Sequence, residues 1–234
     1  MARRATYFFD ARASTPSLFL ISGAWEFMRP QGTLASTSVL RSHIRAYSFM
    51  QYDIGFVSKE EKDILAQKGM QRPSWQQSHD EAPVTFLTTK TGDKVAFVRF
   101  PSLPPGEDTP NTQLITHIEQ SIKSVTPQVQ LVVGISDWGW LGENEYLRNN
   151  SRYVPDVLLG SGRGSGLNGR LLAEDRCIWV RPYDKGRSLC KVQIFEWPTR
   201  KNSFAWSVSK NYNTSSIGLN DTYADNPDVA AFFE

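Results

Sequence analysis

The chain has 234 residues, of which 40% are hydrophobic, 12% are aromatic and 21% are charged, and its formal net charge is +2. This composition is typical of an ordinary soluble globular protein and excludes a disordered chain. The small net charge offers no basic face for nucleic acid, and no apolar run approaches the roughly 20 residues that span a bilayer. The apolar run at 18–21 is too short for a signal peptide, so no export signal is visible in the chain.

Strand and helix signals alternate through the first two thirds of the chain. They predict, in order, a strand at 17–22, a helix at 33–47, a strand at 53–57, a helix at 60–68 that Gly69 closes, a hairpin of 84–88 and 94–100, a helix at 111–124, and strands at 131–135 and 157–159. This β-α-β order favours a sheet with helices on both sides. We therefore predict an α/β fold.

The chain after residue 176 shows strand signals alone. Segments 177–181 and 189–196 are predicted to form a hairpin that turns at 183–186, where Asp and Gly supply the turn conformations. The C-terminal segment at 198–234 is polar and ends in a short predicted helix at 227–233. We predict a main α/β domain at 1–197 and a C-terminal extension at 198–234.

Cys177 and Cys190 flank the predicted turn. Their spacing allows a disulfide across the hairpin, but we interpret them as two separate small core residues, because free cysteine is commonly buried. Two lone cysteines without nearby histidines do not indicate a metal site.

The carboxyl ends of the two buried strands are where a ligand site is expected, because open α/β sheets bind ligands there. Ser136, Asp137 and Trp138 follow the first strand, and the glycine-rich segment 160–164 follows the second. The whole stretch 129–169 contains no histidine. These two strand ends hold the main candidate functional residues.

Several segments, in order and spacing over most of the first 195 residues, resemble one family. Among them are YDIGFVSKEEKD, LVVGISDWG and PDVLLGSGRG. They resemble the calcineurin-like metallophosphatases, in the 5′-nucleotidase branch. The resemblance implies a double-layered α/β sandwich that carries two metal ions on loops after the strands and hydrolyses phosphate esters. The family's N-terminal DxH strand has no counterpart, and the one candidate, Asp10-Ala11-Arg12, lies too close to the next strand and where the family has a helix.

The positions that match the family's metal ligands carry other residues. Ala24 stands at the aspartate of the GD motif, and a methyl group cannot coordinate. Lys59 and Glu60 replace the asparagine and histidine of the GNHE motif. Asp137 replaces the histidine of the SH motif, and Gly162-Arg163-Gly164 replaces the GHxH motif. We therefore predict no metal centre and no cofactor.

Few metal donors remain elsewhere in the chain. Asp137 and Glu60 are the carboxylates that could still hold Mg²⁺ or Ca²⁺ weakly through water. His43 and His117 lie in predicted helices and His79 in a polar loop, so we interpret all three as surface or helix residues rather than as ligands.

The segment 164–169 satisfies the G-x-G-x-x-G pattern of dinucleotide-binding proteins. A Rossmann unit needs a long helix and a parallel strand after this loop, and only 170–175 separate it from the next strand. Nucleotide binding of this type is therefore disfavoured, although the loop amides and Arg163 could receive an anion.

Aromatic residues surround the strand ends. Trp138, Trp140, Tyr146 and Trp25 could line a cleft that binds a planar or anionic ligand together with Arg163 and Lys59. They could equally fill the space that the metals have left, which stabilises a fold by removing a void. We favour the second interpretation.

The sequence as a whole favours a non-catalytic metallophosphatase-fold protein that serves as a binding or structural subunit, with another protein or a second copy of itself as partner. One alternative is a metal-dependent, 5′-nucleotidase-like phosphoesterase whose site has moved or is completed from elsewhere; a second is an anion- or nucleotide-binding module. The resemblance suggests an exported or periplasmic location. The candidate ligand-binding residues are Lys59, Glu60, Asp137, Trp138, Trp140 and Arg163.

Overall fold

A computed structural model describes residues 1–28, 32, 35–149, 153–183, 186–200 and 204–234. The chain divides into two compact units. The first unit comprises Met1–Ser78 and Gly218–Glu234, and the second comprises His79–Ile217. Among the described residues, no helix is both long and apolar enough to cross a bilayer.

The first unit is built on a three-stranded parallel sheet. Its elements, in chain order, are α1 (Ala2–Ser14), β1 (Ile21–Ser22), α2 (Thr37–Met50), β2 (Ile54–Phe56), α3 (Lys59–Gln67), β3 (Gln76–Gln77) and α6 (Pro227–Ala230). The strand order is β1-β2-β3. The helices and the second strand predicted within 17–68 are thus confirmed, whereas the strand predicted at 17–22 is limited to Ile21–Ser22. Helix α1 covers the positions at which the resemblance implies a helix.

Local caps explain where these helices begin and end. The Ser36 hydroxyl accepts from the amide of Val39 and starts α2; the predicted first residues Thr33 and Leu34 lie outside the described residues. Ser58 and Glu61 form a reciprocal capping box at the start of α3. Gly69 follows α3 in the left-handed conformation, at φ +63°, as predicted for a helix stop.

The second unit contains a six-stranded mixed sheet of order β4-β5-β6-β7-β9-β8. Its strands are β4 (Val84–Thr88), β5 (Lys94–Arg99), β6 (Leu131–Ser136), β7 (Val157–Gly160), β8 (Leu167–Leu172) and β9 (Cys177–Arg181). The four central strands run parallel, and the edge strands β4 and β8 are antiparallel to their neighbours. The predicted hairpin β4–β5 is confirmed, as are β6 and β7 as buried parallel strands.

Helices and a separate ribbon complete the second unit. They are α4 (Thr112–Val125), which agrees with the predicted helix, α5 (Gly139–Asn149), and a two-stranded sheet of β10 (Ser188–Ile194) and β11 (Tyr212–Gly218). The core of the unit contains Phe100, Ile118, Trp138 and Tyr146, packed with the buried β6 and β7 residues.

The predicted hairpin of 177–181 with 189–196 is wrong. Strand β9 pairs with β7 on one side and with β8 on the other, so no edge is left for β10, which pairs with β11 instead. Residues 184 and 185 of the predicted turn lie outside the described residues. The error follows from missing β8, whose start was assigned to a glycine-rich loop.

The two cysteines are separate thiols in different sheets. Cys177 is buried in β9 and Cys190 is half-buried in β10. Burial raises the pKa of Cys190 to about 11 and raises that of Cys177 as well. Neither thiol is therefore a reactive thiolate at neutral pH.

Candidate functional site

The two strand ends singled out by the sequence lie side by side. β6 and β7 are parallel neighbours in which Ser136 is level with Gly160. The amide and hydroxyl of Ser161 both donate to the carbonyl oxygen of Ser136, at 2.9 and 2.6 Å. The residues after β6 and after β7 therefore form one edge of the sheet, as expected for parallel strands.

Asp137 is a buried carboxylate at this edge. It is 9% exposed, and its Oδ2 accepts a hydrogen bond from the Ser102 hydroxyl at 2.6 Å. Burial raises the pKa of Asp137 to about 6, although the Ser102 hydrogen bond opposes the shift. Ionisation of this buried carboxylate costs free energy, and the carboxylate already has the Ser102 hydroxyl as a partner.

The two tryptophans after β6 have different environments. Trp138 is 5% exposed, and its Nε1 donates to the carbonyl oxygen of Pro101 at 2.6 Å. Its ring centroid lies 4.9 Å from that of Phe100 and 5.9 Å from that of Tyr146. Trp140 is half-buried, 5.8 Å from the Trp179 ring. Trp138 is thus a core residue, and Trp140 reaches the surface.

The loop after β7, residues 161–165, covers the first turn of α5. The amide of Gly139 donates to the Ser161 carbonyl at 3.0 Å, and the amide of Trp140 donates to the Arg163 carbonyl at 2.7 Å. Helix N-termini are common anion sites because their first amides lack partners inside the helix. Loop carbonyls here bind two amides at the start of α5, while the Arg163 side chain is exposed.

The buried Arg181 side chain binds the carbonyl oxygens of the same loop. The Arg181 guanidinium donates to the carbonyl oxygens of Gly162 and Arg163, both at 3.0 Å, and of Ser165 at 3.2 Å. It also pairs with the Glu143 carboxylate, which accepts from Trp179 Nε1 at 2.8 Å. We call Arg181, Glu143 and Trp179 the loop anchor.

The anchor is closed to solvent. The Arg181 and Glu143 side chains are 2% and 0% exposed. Burial raises the pKa of Glu143 to about 7, and the Arg181 charge opposes this shift. A side chain at Gly160 would collide with the Glu143 carboxylate, so glycine is required where β7 ends. The end of β7 and the Glu143 carboxylate are therefore in close contact.

The first unit has its own candidate positions at the ends of β1 and β2. Glu61 is 1% exposed and accepts from the backbone amides of Trp25 at 2.7 Å, Phe27 at 3.0 Å and Ser58 at 3.3 Å. Burial raises its pKa to about 7 against the opposing effect of these amides. Glu61 therefore fixes the segment that contains Ala24, and its carboxylate is already bound by backbone amides.

Lys59 and Glu60 lie on the exposed side of α3. The Lys59 ammonium is 2.6 Å from Asp63 Oδ2, an i,i+4 pair on the helix surface. Both residues belong to the first unit, whereas Asp137, Trp138, Trp140 and Arg163 belong to the second. Within the second unit the structure brings Trp140 and Arg163 into direct backbone contact and buries Asp137 and Trp138 beside them.

Sequence analysis missed Glu61, Glu143 and Arg181. The pattern S-x-x-E at 58–61 is a capping box and could have indicated the burial of Glu61. Glu143 and Arg181 carry no comparable local signal, because their contact joins α5 to β9.

The residues present do not fit the two metal ions that the resemblance implies. A methyl group stands at Ala24, an ammonium at Lys59, and the Asp137 carboxylate is buried against Ser102. Across the described ranges, no group of three His, Cys, Asp or Glu side chains could hold a metal ion. Bimetal sites need several such donors converging on each ion.

The chain has the fold of calcineurin-like phosphoesterases, which confirms the predicted α/β metallophosphatase-like fold class. A putative 5′-nucleotidase from Staphylococcus aureus matches with a TM-score of 0.63 at 10% identity, over 99% of this chain and 51% of that chain. The calcineurin-like phosphoesterase YfkN from Bacillus subtilis matches with a TM-score of 0.59 at 14% identity, over 100% and 86%. A 5′-nucleotidase precursor from Thermus thermophilus matches with a TM-score of 0.62 at 10% identity, over 99% and 51%.

The chain thus spans about half the length of the two nucleotidases. At these identities the likeness shows the fold alone. No protein-family profile matches the chain, and no curated protein matches it.

Proposed function

We propose that this protein is a non-catalytic member of the phosphoesterase fold that serves as a binding or structural subunit. The observation that carries the proposal is the loop anchor. The loop that matches the family's GHxH motif is held by the Arg181 guanidinium, which has a carboxylate and three carbonyl oxygens as partners. Arg181 therefore already binds the loop carbonyl oxygens and Glu143 Oε2, which would otherwise be oxygen ligands for a cation.

The surface around this loop supports a role in recognition. Tyr183 is 51% exposed, Trp140 is half-buried and Arg163 is exposed. Trp140 packs against Gly164 and Tyr183 against Gly166, so both side chains lie on the loop and its continuation. We call Trp140, Arg163 and Tyr183 the mouth surface. Tyr, Trp and Arg dominate the energetics of protein interfaces because they combine large apolar contact area with polar groups.

An activity assay tests the non-catalytic role. The purified protein is assayed with a generic phosphodiester and with a 5′-nucleotide in added Mn²⁺, beside its Asp137→Ala and Asp137→Asn variants. We expect no turnover above background in any of the three. Turnover that requires Mn²⁺ and disappears in both variants, with their folds intact, would overturn the proposal.

A metal-dependent phosphoesterase remains the second candidate, because the matched structures carry the names of 5′-nucleotidases and a phosphoesterase. This candidate predicts turnover that requires Mn²⁺ and that both Asp137 variants lose. Binding of an anion at the exposed Arg163 is a third hypothesis. It predicts saturable binding of inorganic phosphate or AMP that Arg163→Ala abolishes, and a flat calorimetric titration would remove it.

A further inference from the structure

Two histidines that are far apart in the sequence meet in the second unit. His79 precedes β4 and His117 lies in α4. Their ring centroids are 5.3 Å apart and the rings are inclined by 71°. His79 is half-buried and His117 is exposed, so solvent ions can reach the pair. From the sequence, each of them is interpreted as a surface or helix residue rather than as a ligand.

The hydrogen bonding of His79 fixes which ring nitrogen is available. Its Nδ1 lies 2.7 Å from the carbonyl oxygen of Arg99, at the end of β5. A carbonyl oxygen only accepts hydrogen bonds, so Nδ1 carries the proton in this contact. In the neutral ring Nε2 then has the lone pair. Histidines that bind metals commonly donate their other N–H to a backbone carbonyl in this manner, because the bond fixes the ring and its tautomer.

The ring separation also suits coordination of one ion by both imidazoles. With a metal–nitrogen distance of about 2.0–2.1 Å and tetrahedral angles, two bound imidazole rings have centroids roughly 5 Å apart. The observed 5.3 Å agrees with this value. Across the described ranges no third His, Cys, Asp or Glu side chain completes a cluster, so the protein offers two ligands and water supplies the others.

We propose that His79 and His117 form a binding site for a late first-row divalent metal ion, with Cu²⁺ bound most tightly and Ni²⁺ and Zn²⁺ less tightly. This order follows the intrinsic preference of nitrogen ligands. Mg²⁺ and Ca²⁺ prefer oxygen ligands and should not bind here. The site is independent of the phosphoesterase-fold positions and of the proposed non-catalytic role.

The test is metal titration of the whole chain, followed by calorimetry and by electron paramagnetic resonance of bound Cu²⁺. We expect one Cu²⁺ per chain with coupling to two imidazole nitrogens. Loss of a hydrogen bond that supports a metal ligand weakens metal binding by roughly 10- to 100-fold. His79→Gln and His117→Gln each remove a ligand itself, so each should weaken Cu²⁺ binding by more than this. His43→Gln is the matched control, because His43 lies in α2 of the other unit and should leave affinity unchanged.

Each other result refutes the site. Absence of saturable Cu²⁺ binding would mean that the two rings only pack edge to face, as aromatic pairs do at this separation. Binding that survives in the double variant His79→Gln/His117→Gln would place the ion elsewhere. Circular dichroism of each variant shows that the fold is kept, and the activity assay above is repeated in the double variant, so that metal held by this pair is not mistaken for a catalytic centre.

Discussion

The buried ion pair of the loop anchor allows a quantitative test by a double-mutant cycle. Replacing Glu143 by leucine leaves the Arg181 guanidinium, which is 2% exposed, without its counter-charge. A guanidinium does not lose its proton in proteins, so it cannot become neutral. Breaking a buried pair from one side costs about 3–5 kcal/mol. We expect Glu143→Leu to lose that much free energy of unfolding.

Adding Arg181→Met in the same chain removes the isolated charge and keeps an apolar side chain of similar length. The carbonyls of Gly162 and Ser165 then lose a donor, while the Arg163 carbonyl keeps the amide of Trp140. We therefore expect the double variant to be more stable than Glu143→Leu alone. The coupling free energy between the two sites should be about 2–3 kcal/mol, at the upper end for residues in direct contact.

Urea unfolding followed by tryptophan fluorescence and circular dichroism measures the wild type, the two single variants Glu143→Leu and Arg181→Met, and the double variant. The exposed pair Lys59–Asp63 provides the control, and a cycle of Lys59→Ala and Asp63→Ala should give a coupling of about 0.3–0.5 kcal/mol. Additive effects at Glu143 and Arg181, or a Glu143→Leu variant as stable as the wild type, would refute the assignment of the pair as a buried, mutually dependent anchor.

Three further outcomes follow from the second unit. Asp137→Asn should remove a pH dependence of the free energy of unfolding. The folded-state pKa of Asp137, about 6, exceeds its ordinary value of 3.8, so the wild type loses stability as pH rises between these values. At pH 8 the variant should be more stable than the wild type by up to about 3 kcal/mol, measured by urea unfolding across the pH range. Arg200→Ala should cost about 1–3 kcal/mol, because Arg200 binds both carboxylate oxygens of the buried Asp156, at 2.8 and 2.9 Å, and equal melting of variant and wild type would contradict this. Trp138→Ala should cost about 3–5 kcal/mol by leaving a core cavity, and the half-buried Trp140→Ala should cost less; the reverse order in thermal melts would contradict the placement of the two indoles.

Much of the second unit could be predicted from local pattern. β6 and β7 are short, mainly apolar runs, and α4 has a regular apolar stripe with an Asn111 cap. β8 could not be predicted in the same way. Its sequence LNGRLL has Gly169 at an irregular register, and this glycine belongs to a motif that favours a loop. Missing that edge strand led to the wrong partner for β9.

The charged and polar residues of the site were harder to assign. Glu143 and Arg181 resemble surface residues in the sequence, because arginine and glutamate are rarely fully buried unless paired. Their burial depends on α5 lying against β9, and His79 meets His117 only through the packing of α4 near the end of β5. Such contacts are properties of topology, and a single sequence contains no local signal for them.

Because Arg181 holds the loop at 161–165, the shape of the mouth surface depends on a residue of the chain and not on a bound ion. A loop organised by a dissociable ion gains stability with the logarithm of the free-ion concentration. The Arg181 guanidinium is part of the chain, so it is present at any protein concentration and in any ionic medium. The backbone at 161–165 is therefore held by a residue of the chain itself, and we expect chelators to leave it unchanged. For a protein that presents a surface to a partner, recognition then becomes a property of the folded chain and is independent of the metal supply of its surroundings.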